Sequence, residues 1–257
     1  MSDSNAACGS ITYNGHDFSR YCTAMTTMRA AAGVVCDTCE VPGRAGEAVL
    51  GGRVPPLPIR VRLFLALDGR KSDAACAAAR REMAGWLTAL RGAELELPEE
   101  PGYVWRDVAL TDAGDWESLF EFGECELGFT AYDPVAYGKA VTVTSAQMTG
   151  ADAGATSGDL TVGGTWPTWP RFRITTDQSA YVQMGLAGGP NIRIDRTSTA
   201  VSEVVIDCEA GTVTFDGRDM AASVDMTCDF FRFEPGTVTL EWFGAGEFTV
   251  EFTERWL

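Results

Sequence analysis

Strict alternation is the first pattern along this chain. In IRVRLFLAL, Ile59, Val61, Leu63, Leu65 and Leu67 fall on one side and Arg60 and Arg62 on the other, which predicts a half-buried strand. GECELGFTA repeats the device with Cys125, Leu127, Phe129 and Ala131. ELELP and YVWRDVAL predict two more strands, and ITYNGHDFS predicts a hairpin turning at Asn14-Gly15. One stretch has the helical period instead. After the Asp68-Gly69 turn, Ser72 or Asp73 can cap a helix over about 73–91, in which Cys76, Ala79, Met83, Trp86, Leu87 and Leu90 recur at three- and four-residue steps. Gly92 is its expected end.

The alternation breaks at YDPVAYG, because Pro134 has no N–H to give a ladder and restricts the residue before it. Asp133, Pro134 and Gly138 are the candidate inter-domain turn, dividing the chain into 1–138 and 139–257. The following TSAQMTGADAGATSGDLTVGGTWPTWP has little period until Leu160. From Phe172 onward only strand patterns occur: FRITT, AYVQMG, NIRID, EVVIDC, TVTFDG, VTLEWF and EFTVEFTERW. Turns are expected at Gly211 and at Gly244-Ala245-Gly246. Short strands at this spacing predict a β-sandwich or jelly roll, so the fold class is mostly β (α+β), with one amphipathic helix in the N-terminal domain. Phe230 and Phe231, adjacent in a strand, would point opposite ways and send one ring out of the core.

Composition narrows the functional classes. The formal charge of −16 is spread evenly, −8 on residues 1–138 and −8 on residues 139–257. Tight nucleic-acid binding runs on phosphates neutralised by Lys and Arg, so it is not expected. A repelling wall beside DNA is compatible with this charge. The basic residues are nearly all Arg, with only Lys71 and Lys139, and Arg suits protein interfaces. MSDSNAACGS lacks a basic start and an apolar core, so no secretory leader is expected. No apolar run reaches the length of a membrane span. These readings point to a soluble product with reduced thiols, made in the cytoplasm.

Eight cysteines raise the question of chemistry, above all Cys36 and Cys39 in VCDTCEVPGRAG. A structural zinc needs four close ligands, but the other cysteines are isolated and His16 is the only histidine. A redox dithiol belongs at a helix start, whereas this pair runs into Val41-Pro42-Gly43. The pair therefore reads as two unrelated thiols in a strand and turn. His16, beside a hairpin turn, reads as an exposed imidazole without a catalytic role. Phosphate-loop and nucleophile-elbow motifs are missing, and no cofactor is expected. Two rivals to a structural role remain. One is a carbohydrate-binding sandwich using Trp166, Trp169, Trp242 or Trp256, rings that otherwise fill the core or a seam between domains. The other is a metal-dependent enzyme using Cys36, Cys39 and nearby carboxylates.

The order ITYNGHDFSRY, EVPGRAG, an amphipathic helix with WL, then GFTAYDPVAYG resembles the distal tail proteins of phages with long, flexible, non-contractile tails. EVVIDCEAGTVTFDGRD, FFRFEPGTVTLEWFG and FTERWL resemble the C-terminal part of that family. The resemblance implies a ring-forming N-terminal domain, a galectin-like C-terminal β-sandwich, and no catalytic activity. It implies a homo-hexamer at the virion tail tip of a phage or prophage, joining the tail tube to the tip. The implied partners are the tail tube protein, the tape-measure protein, the tail-associated hub or lysin, and a receptor-binding protein. In VCDTCEVPGRAG the shared letters are VPGRAG, and the cysteines are incidental to them.

Overall fold

The computed structural model describes residues 9–66, 73–150, 156–176, 180–195, 203–220, 223–225 and 228–257. Cys8, Leu67, the Asp68-Gly69 turn, Lys71 and Ser72 lie outside the described residues. The protein is mostly β, with two helices among the described residues. It divides into two compact units, residues 1–137 with Leu257, and Gly138–Trp256.

The N-terminal unit contains β1 (Thr12–Tyr13), β2 (His16–Asp17), β3 (Cys22–Arg29), β4 (Val35–Glu40), β5 (Glu47–Arg53) and β6 (Leu57–Leu65). Then come α1 (Asp73–Leu87), β7 (Ala93–Glu96), β8 (Val104–Asp112), α2 (Ser118–Glu121), β9 (Glu124–Ala131) and the start of β10 (Ala136–Thr144). Its sheet runs β3-β6-β9-β8-β7-β1-β2, all antiparallel. Alternation decides which side is buried: Leu57, Ile59, Val61 and Leu63 of β6 and Cys125, Leu127, Phe129 and Ala131 of β9 are all buried. Each large aliphatic side chain taken from water this way contributes about 1.5–3 kcal/mol. Asn14 and Gly15 take positive φ, +53° and +74°, as the two-residue β1–β2 turn demands.

Helix α1 buries Ala79, Met83 and Leu87 but stops four residues before the expected end. The β1–β2 turn explains the stop. Asn14 donates from Nδ2 to the Trp86 carbonyl at 3.3 Å, taking an acceptor that a continuing helix would use. Trp86 itself stacks against His16 and Tyr21 and meets Phe18 edge-on. Glu82 accepts from the Tyr21 hydroxyl at 2.6 Å and pairs with Arg20. Leu90, expected on the apolar face, is 97% exposed. Gly92 is not a helix cap but a close approach: a Cβ there would lie 2.4 Å from the Asp107 Cα. Helix α2 has no counterpart in the sequence expectations. Asp115 starts it by accepting from the Ser118 backbone N–H and hydroxyl, which holds the Asp115 carboxyl below its usual range.

The C-terminal unit continues with β11 (Ser157–Val162), β12 (Arg171–Thr176), β13 (Tyr181–Leu186), β14 (Asn191–Asp195) and β15 (Glu203–Asp207). It ends with β16 (Thr212–Phe215), β17 (Arg218–Asp219), β18 (Gly236–Phe243) and β19 (Ala245–Trp256). Two sheets, β17-β16-β15-β12-β19 and β11-β18-β13-β14, enclose one core. Phe172, Ile174, Val204, Ile206, Phe248 and Val250 come from the first sheet, and Val182, Met184, Ile192, Ile194, Leu240 and Trp242 from the second. Phe231 and Phe233 complete the core from the segment before β18. Phe230 is only partly buried, over Gly211, although this segment is not a strand as the adjacent-residue argument assumed.

Candidate functional site

Strands β4 and β5 form a two-stranded sheet of their own. Six residue pairs join them, from Val35 with Arg53 to Glu40 with Glu47, with a bulge between Asp37 and Thr38. VPGRAG is the turn: the Arg44 N–H donates to the Val41 carbonyl at 3.1 Å. Gly43 and Gly46 take φ of +83° and +76° there, conformations that side chains resist.

No side chain of this hairpin is buried. From residue 33 to residue 53 only Cys39 and Ala48 are even half-covered, and they face each other across the strands. Val49 is 66% exposed and Leu50 71%, with Val34, Val35 and Val41 also exposed. The same stretch carries Asp37, Glu40, Glu47, Arg44 and Arg53, a net −1 on a chain of −16. None of these five forms an ion pair with another described residue. On β6, by contrast, Arg60 and Arg62 lie within ion-pair distance of Glu126. The hairpin is apolar, nearly neutral and equipped with free guanidinium and carboxylate groups.

Cys36 is exposed and Cys39 half-covered, on the same strand three residues apart. Among the described residues no group of three or more His, Cys, Asp or Glu is arranged to hold a metal ion. The remaining thiols differ in kind. Cys22, Cys125 and Cys208 are buried, and burial pushes each up to about 12. His16 is exposed and stacked on Trp86.

Asp133 and Pro134 lie in the link between β9 and β10, and Gly138 is the third residue of β10 and the first of the C-terminal unit. Asp133 holds the link by accepting from the Val135 N–H at 3.2 Å and the Tyr137 hydroxyl at 2.7 Å. Arg106 covers the Tyr137 ring at 4.0 Å. The tryptophans singled out for sugar stacking are not open platforms. Trp242 is buried in the sandwich core, Trp169 packs against that core, and Trp166 and Trp256 are half-buried.

Residues 163–256 match the family model described as siphovirus-type tail component, C-terminal domain. No curated protein matches the chain. Among solved structures, the chain is similar to the Dit protein of phage SPP1, described as a paradigm of the hub adsorption apparatus in phages infecting Gram-positive bacteria. The two share 16% identity and a TM-score of 0.74, over 96% of this chain and 99% of that one. Baseplates of phage p2 in the activated conformation, with Sr and with Ca, give TM-scores of 0.48 and 0.46 at 10% and 9% identity. Each of these covers 90% of both chains. Residues 163–256 are thus similar to the C-terminal domain of siphovirus-type tail components, and the chain shares the fold of SPP1 Dit.

Proposed function

We propose that six copies of this chain close into a ring at the tail tip of a phage or prophage. The ring joins the tail tube to the tip and its receptor-binding machinery, and DNA passes through its channel. The observation that carries the reading is the β4–β5 hairpin. A two-stranded hairpin with no covered face is at best marginally stable in water, and this one exposes Val35, Val41, Val49 and Leu50. A neighbouring copy supplies the missing cover. Domain 1–138 forms the ring in this reading, domain 139–257 stands outside it, and the Asp133–Pro134 link and Gly138 join the two. The tape-measure protein, the hub or lysin and a receptor-binding protein meet this ring, whose role is mechanical rather than catalytic.

Charge sets the conditions of assembly. A six-membered ring carries a formal −96, six times −16, which keeps a DNA conduit free of adhesion but makes the copies repel. Assembly therefore relies on apolar contact and strengthens as salt screens that repulsion. Electron microscopy of the concentrated protein tests the reading: rings with a central hole are expected, and uniform monomers at every salt concentration would overturn it. Oligomers that fall apart on adding salt would show attraction, not repulsion, between the charges.

A further inference from the structure

The outer face of the sheet β11-β18-β13-β14 is polar by alternation. Ser157, Asp159, Thr161, Thr237, Thr239, Glu241, Gln183, Asn191, Arg193 and Asp195 all lie on it, while their neighbours in sequence turn to the core. Two aromatic rings break the rule. Tyr181 and Phe243 stack on this face with centroids 4.6 Å apart and planes 21° from parallel. The Arg193 guanidinium sits over the Tyr181 ring at 3.9 Å and bonds Asp195 at 3.2 Å. Arg193 belongs to the strand on one side of β13 and Phe243 to the strand on the other, so Tyr181 is held between them. The pile is fixed at its Arg193 end and open at its Phe243 end, and Phe243 is 45% exposed.

Beside Phe243 lies an open cleft of about 360 Å³, lined also by Thr156, Ser157, Tyr181, Gln183 and Glu241. That volume sits at the lower end of the range for ligand sites, ~300–1,000 Å³. Gln183 pairs directly with Phe243 across the strands, and Glu241 pairs with Ser157. The side chains of Gln183, Glu241 and Ser157 bond no other described residue, so an amide, a carboxylate and a hydroxyl face the cleft unengaged. One pre-set aromatic face flanked by uncommitted planar donors and acceptors suits a sugar ring, whose C–H face covers the aromatic while its hydroxyls meet the amide and carboxylate. Among the described residues, three carboxylates, Asp159, Asp195 and Glu241, share the face with one cation, Arg193, which is already paired. The balance disfavours phosphate- or carboxylate-bearing polymers.

We infer that the cleft beside Phe243 binds an uncharged saccharide, with Phe243 as the stacking platform and Gln183, Glu241 and Ser157 as its hydrogen-bonding rim. The site uses only side chains of one sandwich. The test is the full-length protein on an array of neutral and anionic bacterial surface glycans. Saturable binding of neutral glycans is expected, weakened about tenfold or more in Phe243→Ala and in Gln183→Ala, and unchanged in Thr161→Ala on the same face. Thermal unfolding of each variant checks that the sandwich persists, and Glu241→Gln serves if Phe243→Ala does not fold. Retention of no glycan, of anionic glycans alone, or of glycans equally by all variants would overturn the assignment; the face would then be left to a protein partner.

Discussion

Two hairpins of this molecule are built alike and end differently. Both β4–β5 and β13–β14 are antiparallel, with six and five residue pairs. In β13–β14, Val182, Met184, Ile192 and Ile194 are fully buried against the facing sheet. In β4–β5 nothing is buried, and the apolar side chains stand in solvent. β13 also pairs with β18, within a four-stranded sheet, whereas β4–β5 stands as a two-stranded sheet of its own. A second difference is the covering layer, which for β13–β14 is the other sheet of the same unit. For β4–β5 it is not found among the described residues of this chain, and the proposed ring places it on the next copy.

The largest effect that sharpens this contrast is Ile194→Ala, which empties a fully buried site. It is expected to lower stability by about 2–5 kcal/mol in chemical denaturation. Asp17→Ala comes next. Asp17 caps the short turn Phe18–Arg20, accepting from the Ser19 N–H at 2.8 Å and from the Ser10 hydroxyl. Its loss is expected to cost about 1 kcal/mol. Bonds from Ser10 and Ser19 hold the Asp17 carboxyl below its ordinary range. Its contribution is therefore present above the ordinary carboxylate range and fades as acid protonates it. The wild type should lose this advantage over Asp17→Ala between pH 4 and pH 2, as ~3.9 is the unperturbed value.

Smallest in stability is Leu50→Ser, expected to change unfolding by less than about 0.5 kcal/mol while preventing rings in electron micrographs. A loss of 2 kcal/mol or more would mean that the hairpin is covered within its own chain. Thiol labelling reads the same contrast without mutation. At pH 8, Cys36 of the monomer should react within minutes, while Cys22, Cys125 and Cys208, buried and with their thiols pushed up to about 12, should react only after denaturation.

The sequence is most legible where one face is buried. Alternation in Ile59 to Leu65, in GECELGFTA and in the strands after Phe172 reports which side meets the core, because burial selects residues at period two. Legibility fails where a contact distant in sequence decides the outcome. The end of α1 depends on Asn14, over seventy residues upstream, and Gly92 is small because Asp107 passes over it. Helix α2 spans only Ser118–Glu121, too short for a period to register. In VCDTCEVPGRAG the thiols are the conspicuous residues, whereas its position in an uncovered hairpin has no local signature. The Phe243 cleft had one, since VTLEWF places a phenylalanine where alternation calls for a polar residue. The tryptophans of the same sandwich are the more obvious rings, but Trp242 lies in the core and Trp169 packs against it.

The order of events during synthesis follows from the reach of contacts. Every backbone pair of β4–β5 closes within residues 35–53, a span that a nascent chain can zip in microseconds. The β1–β2 turn must wait for Trp86 to emerge before Asn14 finds its acceptor, and translation adds only about 5–20 residues per second. All the residues of this hairpin are thus synthesised seconds before Trp86. The hairpin's exposed Val35, Val41, Val49 and Leu50, covered in the proposed ring, would then be open to contact from the moment it forms.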